Sequence, residues 1–182
     1  MKISAASIPD VLILEPEVLD DDRGYFFENF NQKAFNDAIG QEINFVQDNH
    51  SKSYQGVLRG LHYQNPKPQG KLVRVVVGAT FSVGIDLRAK SPTLGQWTGI
   101  ELSAVNRRQL WIPAGFAHGF VAITESAECL YKLSNYYAPE FEHCIAWNDD
   151  TLNIKWPLEN GTPILSVKDR SGLRFKDAPL FI

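Results

Sequence analysis

The stretch GVLRGLHYQ, Gly56 to Gln64, sets Arg59 and His62 among glycines and aliphatic residues whose pattern reads as a strand. A second histidine, His118, follows a Pro-Ala-Gly turn in PAGFAHGF, and Lys71 opens the valine-rich segment KLVRVVVG. Gln47 and Asn49 share one face of FVQDNH by the period of two. A polar side chain that points into a β-structure without a partner is costly, so several together suggest a polar cavity that a ligand completes. Singly, each has a plainer role, as a satisfied core histidine or a strand-end lysine in water.

Two more groups could do chemistry. Tyr131 and Tyr137, in LYKLSNYY, lie an even number of positions apart, so an uninterrupted strand would place both on one face. One could donate a proton and the other stack on a ring, or both could be rim residues. In ILSVKDR, read as a strand, Asp169 shares a face with Val167 and Leu165. Its carboxylate there could orient a histidine and raise its basicity, and a solvated turn aspartate is the alternative. The patterns GxGxxG after a strand, GxxxxGK[ST], GxSxG and HExxH do not occur. Dinucleotide binding, nucleotide hydrolysis, α/β-hydrolase and zinc-protease chemistry lose their main support.

The elements that must position these residues are mostly strands. KLVRVVVG puts Lys71, Val73, Val75 and Val77 on one face, TFSVGIDL alternates in the same way, and Gly78 between them predicts a hairpin. Further strands are expected in EINFVQDNH, WTGIELS, RQLWIP, HGFVAI, AECLYKLSNYY and PILSVKD. The one convincing helix is NQKAFNDAIG, with Asn31 as cap, an apolar stripe of Phe35, Ala38 and Ile39, and Gly40 as terminator. Many short strands with one short helix imply an antiparallel sandwich or barrel.

The chain has 182 residues and no repeat or low-complexity linker, so a single domain over residues 1–182 is expected. A net charge of -3 argues against nonspecific nucleic-acid binding and leaves any anion site local. No apolar run has the length of a signal peptide or a membrane span, so the expectation is a cytoplasmic protein with no membrane partner. Cys129 and Cys144 are flanked by apolar residues and read as reduced, partly buried thiols.

GVLRGLHYQ, KLVRVVVG, DLRAKSPTLGQW, PAGFAHGF, the YK strand, IAWND and LSVKD, in this order, resemble the dTDP-4-dehydrorhamnose 3,5-epimerase family of the cupin superfamily. The resemblance runs from DDRGYFFE to SVKDRSG, nearly the whole chain. It implies an all-β, double-stranded β-helix jelly roll with one or two short helices, acting as a homodimer with no metal or organic cofactor. The implied reaction inverts C3 and C5 of dTDP-4-dehydro-6-deoxy-D-glucose, supplying dTDP-L-rhamnose for cell-surface polysaccharide. Members that invert only C3 or only C5 are the alternative.

The resemblance implies His62 as the base, Asp169 as its orienting partner, Tyr131 as the proton donor on the opposite face and Lys71 beside the developing oxyanion. It assigns Arg23, Glu28, Gln47, Asn49, Arg59, His118, Glu142 and Lys168 to substrate binding and Tyr137 to stacking on the thymine. Arg23 and Glu28 would reach across the dimer interface. In Glu142-His143-Cys144 only the glutamate carries over, because the family often has a glycine there and no His-Cys pair. A metal-dependent cupin needs an HxH motif, and His62-Tyr63-Gln64 removes one ligand. A noncatalytic sugar-binding jelly roll would need the same pocket but not His62, Tyr131 and Lys71 together.

Overall fold

Alternating apolar and polar residues become thirteen short strands in the computed structural model, among the described residues 1–159 and 161–182. In chain order these are β1 (Lys2–Ala5), β2 (Leu12–Glu15), β3 (Leu19–Asp21), β4 (Gly24–Phe26), β5 (Gln47–Tyr54), β6 (Leu58–Gln64) and β7 (Lys71–Val77). There follow β8 (Ala79–Asp86), β9 (Trp97–Ser103), β10 (Gln109–Ile112), β11 (Phe116–Ala122), β12 (Ser126–Leu133) and β13 (Glu142–Cys144). Helix α1 (Gln32–Ile39) precedes β5 and a single helical turn, α2 (Val167–Arg170), follows β13.

The strands form two antiparallel sheets, ordered β1-β2-β10-β7-β12-β5 and β13-β6-β11-β8-β9, with β3-β4 as a separate hairpin. This is the expected double-stranded β-helix jelly roll. Between the sheets, Val73, Val75, Leu110 and Ile112 of the first pack with Leu102, Phe116 and Phe120 of the second. The period of two leaves Leu72 and Trp111 on the outer face of the first sheet, where they pack with Phe35 of α1. The Phe35 and Trp111 rings meet edge to face with centroids 5.2 Å apart. Asn31 caps α1 by accepting the Ala34 N–H at 3.0 Å, and Gly40 ends it in the left-handed region at φ 67°.

The hairpin expected at Gly78 does not form. β7 and β8 belong to opposite sheets, and Gly78 is the corner between them. Its φ is 68°, and a Cβ there would come within 2.0 Å of the Ser126 carbonyl oxygen. Alternation reports which face of a strand is buried but not which strand it pairs with, and a jelly roll sends consecutive strands to different sheets.

Three segments also differ from expectation. EINFVQDNH becomes strand only from Gln47. β12 stops at Leu133, because the buried glutamines Gln64 and Gln69 take the Tyr136 and Asn135 carbonyls at 3.2 and 2.9 Å and hold the chain off the sheet. Tyr131 and Tyr137 therefore do not share a strand. PILSVKD is not a strand: Ile164 makes one isolated bridge to Val57, and Val167 to Arg170 coil into α2.

Candidate active site

The two sheets diverge at one end to leave a cleft of about 280 Å³ lined by Arg59, His62, Lys71, His118, Phe120, Tyr131, Ser166, Lys168 and Asp169. Lys71 on β7 and Tyr131 on β12 belong to the first sheet, and His62 on β6 and His118 on β11 to the second. His62 and His118 are register partners on neighbouring strands, so their rings leave the same face. His62 thus lines the same cleft as Lys71 and Tyr131 of the facing sheet.

His62 is oriented by Asp169, with Nε2 2.6 Å from Oδ1. Asp169 is itself held from three sides: Ser166 Oγ donates to Oδ2 at 2.6 Å, the Gly60 N–H donates to Oδ1 at 3.3 Å, and the Asp169 N–H donates to Ser166 Oγ at 3.1 Å. Burial alone would raise its pKa, but the hydrogen bonds from His62 and Ser166 outweigh that and bring it to about 2. A carboxylate can only accept, so His62 Nε2 is the donor in this bond, and in the neutral ring Nδ1 then carries the free lone pair.

Lys71 is buried, with Nζ donating to the His62 carbonyl at 3.2 Å. Burial pulls its pKa down to about 8, with nearby Glu142 and Lys168 acting in opposite directions. His118 is buried too, and burial, then the charges at Lys71 and His62, push its pKa well below the usual imidazole value. Its Nε2 finds no hydrogen-bond partner among the described residues. A neutral imidazole nitrogen that faces the cleft can hydrogen-bond a ligand there.

Gln47, Asn49, Tyr137 and Glu142 join Arg59 and Lys168 at the rim. Lys168 pairs with Glu142, and Tyr137 OH donates to Glu142 Oε2 at 2.6 Å. The Tyr137 N–H donates to Gln47 Oε1 at 2.9 Å, and Gln47 Nε2 donates to Asn49 Oδ1 at 2.9 Å. Asn49 lies opposite Tyr131 in the β5–β12 register. Tyr137 reaches this network from the loop after β12, not along the strand. Arg59 is steered by Ser53 Oγ at 2.9 Å and the Lys52 carbonyl at 3.0 Å.

Arg23 and Glu28 lie outside the cleft. Arg23, at the β3–β4 turn, forks onto Asp21 with Nη2 2.5 Å from Oδ2, and its side chain is 90% exposed. Glu28 accepts from Asn31 Nδ2 at 3.2 Å beside α1.

Ser166 and Phe120 were missing from the sequence reading. Ser166 had a signal: Ser-x-x-Asp is a helix-start pattern, which also explains why the segment coils before Asp169. Phe120 had none, since a core aromatic and a pocket aromatic alternate alike in a strand.

A family model described as dTDP-4-dehydrorhamnose 3,5-epimerase matches residues 5–177. A Pseudomonas aeruginosa protein of that name is 59% identical over 181 residues, covering 100% of this chain and 99% of its own length. A Shigella flexneri protein of the same name is 56% identical over 183 residues, with 100% of both chains covered. The crystal structure of the dTDP-6-deoxy-D-glucose-3,5-epimerase from Legionella pneumophila, in complex with dTDP-4-keto-L-rhamnose, matches with a TM-score of 0.95 at 45% identity. It covers 98% of this chain and 94% of that one. Likeness of this extent, over a cleft with an oriented histidine on one wall and a lysine and tyrosine on the other, makes the chain a member of the dTDP-4-dehydrorhamnose 3,5-epimerase family, an isomerase.

Proposed function

We propose that the chain, as one cupin-like domain in a cytoplasmic homodimer, epimerises dTDP-4-dehydro-6-deoxy-D-glucose at C3 and C5 to dTDP-4-dehydro-L-rhamnose. The observation that carries this reading is the placement of His62, paired with Asp169 of α2, on one sheet and of Lys71 and Tyr131 on the other, around one cleft.

The hydrogens at C3 and C5 are acidic only because the C4 carbonyl can take the charge of the departing proton as an enolate. His62 Nδ1 accepts the proton, and Asp169 stabilises the imidazolium through Nε2. Lys71 meets the charge that develops on O4. With a pKa of about 8 it is mostly an ammonium at neutral pH, and a preorganised donor of this kind contributes about 3 kcal/mol to the transition state. Tyr131 then delivers a proton to the opposite face of the carbon, and inversion follows. Solvent returns the proton from His62 to Tyr131, so the enzyme ends each cycle unchanged and needs no cofactor.

The nucleotide end of the substrate meets the cationic rim. Arg59 and Lys168 suit a pyrophosphate, with Arg23 of a second subunit completing the clamp, and Tyr137 stacks on the thymine. Gln47, Asn49, His118 and Glu142 hold sugar hydroxyls and the linker, and Glu28 reaches the site with Arg23 across the dimer interface.

Incubation with dTDP-4-dehydro-6-deoxy-D-glucose in deuterated water, followed by NMR, tests this. Deuterium at both C3 and C5 with the L-rhamno product is expected. Label at one carbon only would make it a single-site epimerase, and no label at either would overturn the reading.

A further inference from the structure

One thiol beside the cleft, behind His62 and Asp169, has no part in that chemistry. β13 pairs with β6 so that Cys144 is the register partner of His62, and both side chains leave the same face of the sheet. Cys144 Sγ lies 3.9 Å from Asp169 Oδ1, which is itself 2.6 Å from His62 Nε2. The three donor atoms, one nitrogen, one sulfur and one oxygen, lie within 4.8 Å of one another. The thiol's own hydrogen bond is a long one, to the Ile145 carbonyl at 3.6 Å. Burial, then the charge on Asp169, push its pKa up to about 12, so without a metal it stays a neutral thiol.

We propose that His62, Asp169 and Cys144 form an inhibitory site for a thiophilic divalent cation, with Zn²⁺ as the representative ion. A tetrahedral zinc has bonds of about 2.0–2.3 Å, which set its ligand atoms roughly 3.3–3.8 Å apart. The Asp169–Cys144 spacing is already close to that range. The His62–Asp169 pair has to open by something under an ångström. The cleft, lined by His62 and Asp169, provides the entry path and room for a water as fourth ligand on the side away from Cys144. The set differs from a cupin metal site, because it draws its second and third ligands from β13 and α2 and none from Tyr63 or Gln64.

Inhibition rests on the assignment of His62 as the base. On binding, Zn²⁺ takes the Nε2 lone pair and the imidazole proton moves to Nδ1. The thiol proton leaves to solvent as the Zn–S bond forms, and no electrons are transferred. Nδ1, the nitrogen that would accept the proton from the sugar, then already carries one. The ion silences the base by fixing the wrong tautomer, even where substrate still fits the rim.

The test uses the full chain after chelator treatment, titrated with zinc chloride. Turnover should fall to near zero at one equivalent of bound zinc and return on addition of EDTA. Cys144→Ala and Cys144→Ser should turn over at the wild-type rate without metal and require about tenfold more zinc, or beyond, for half-inhibition. A readout independent of turnover is cobalt(II). Its thiolate charge-transfer band in the near ultraviolet should appear with the wild type and be absent from both cysteine variants. Equal zinc sensitivity in all three proteins, or no thiolate band in the wild type, would overturn the site. A band with turnover intact would overturn the inhibition, and with it the assignment of His62 as base, while leaving the metal-binding cluster standing.

Discussion

Around His62, the polar groups are fixed before any ligand arrives. Asp169 is gripped by Ser166 and the Gly60 amide, Lys71 is buried against the His62 carbonyl, and Glu142 is tied to Lys168 and Tyr137. Around Arg23 the reverse holds. The β3–β4 hairpin belongs to neither main sheet, Arg23 is paired only with its neighbour Asp21, and Leu19, Tyr25 and Phe26 are 63%, 58% and 69% exposed. One region has its polar groups preorganised for proton transfer at a carbon beside a carbonyl, where misplacement by an ångström is expensive. The other presents exposed apolar side chains and a cation paired with its neighbour. If the comparison is right, changes in the first region alter the chemical step, and changes in the second alter binding and assembly.

The largest effect should come from the base. His62→Ala should lower deuterium exchange and inversion together, by about a thousandfold or more, since no enolate forms without proton abstraction. Full exchange in that variant would remove His62 from the mechanism.

Tyr131→Phe should separate the two readouts. His62 and Lys71 still form the enolate, so deuterium still enters, but from the face the proton left. Inversion should fall about a hundredfold or more while exchange persists. Equal small losses in both would make Tyr131 a rim residue.

Lys71 connects function to stability. If its ammonium meets the charge on O4, as proposed, kcat/KM of the free enzyme should decline as pH rises through about 8. Folding has the opposite slope. The buried lysine releases its proton near 8 and the unfolded one near 10.5, so the unfolded chain binds more protons between those values and stability rises with pH across that window. At pH 7 the charged, desolvated lysine therefore costs stability, on the order of 3 kcal/mol. Lys71→Met should lose about a hundredfold in kcat yet unfold at a higher temperature at pH 7, an advantage that shrinks as pH approaches 10.5. A variant less stable than wild type at pH 7 would show that the lysine is held by more than its burial suggests.

The same contrast explains how much could be read from the sequence. β9 lies where WTGIELS predicted it, and the α1 cap, stripe and terminator fall at Asn31, Phe35 and Gly40, because these signals are local. Lys71 and His118 could be suspected from a charge in an apolar strand. That they share one cleft depends on which strands pair, and alternation does not carry that, as the failed hairpin at Gly78 shows. Asp169 came from a wrong element: alternation in ILSVKD suggested a strand, while the Ser166–Asp169 capping interaction made a helical turn that still aims the carboxylate at His62. The motif resemblance supplied the grouping that local physics could not.

The smallest effect, and the one that bears most directly on the hairpin, concerns Arg23. Among the described residues its side-chain hydrogen bonds and ion pair go to Asp21, so Arg23→Ala should leave the unfolding temperature nearly unchanged, within the roughly 0.5 kcal/mol expected of an exposed site. If its guanidinium serves the pyrophosphate of the neighbouring subunit, KM should rise about tenfold with kcat little altered, since the contact is equally present in ground and transition states. Mixing tells whose site it serves. Arg23→Ala and His62→Ala chains, unfolded together and refolded, form mixed dimers in which the His62-bearing barrel receives an intact Arg23 from its partner. Every second dimer is mixed on random assortment, so roughly a quarter of all sites should regain wild-type KM. If Arg23 instead folds back onto its own barrel, each His62-bearing site still lacks its arginine, and the mixture should show only the high-KM activity of the Arg23→Ala chains present.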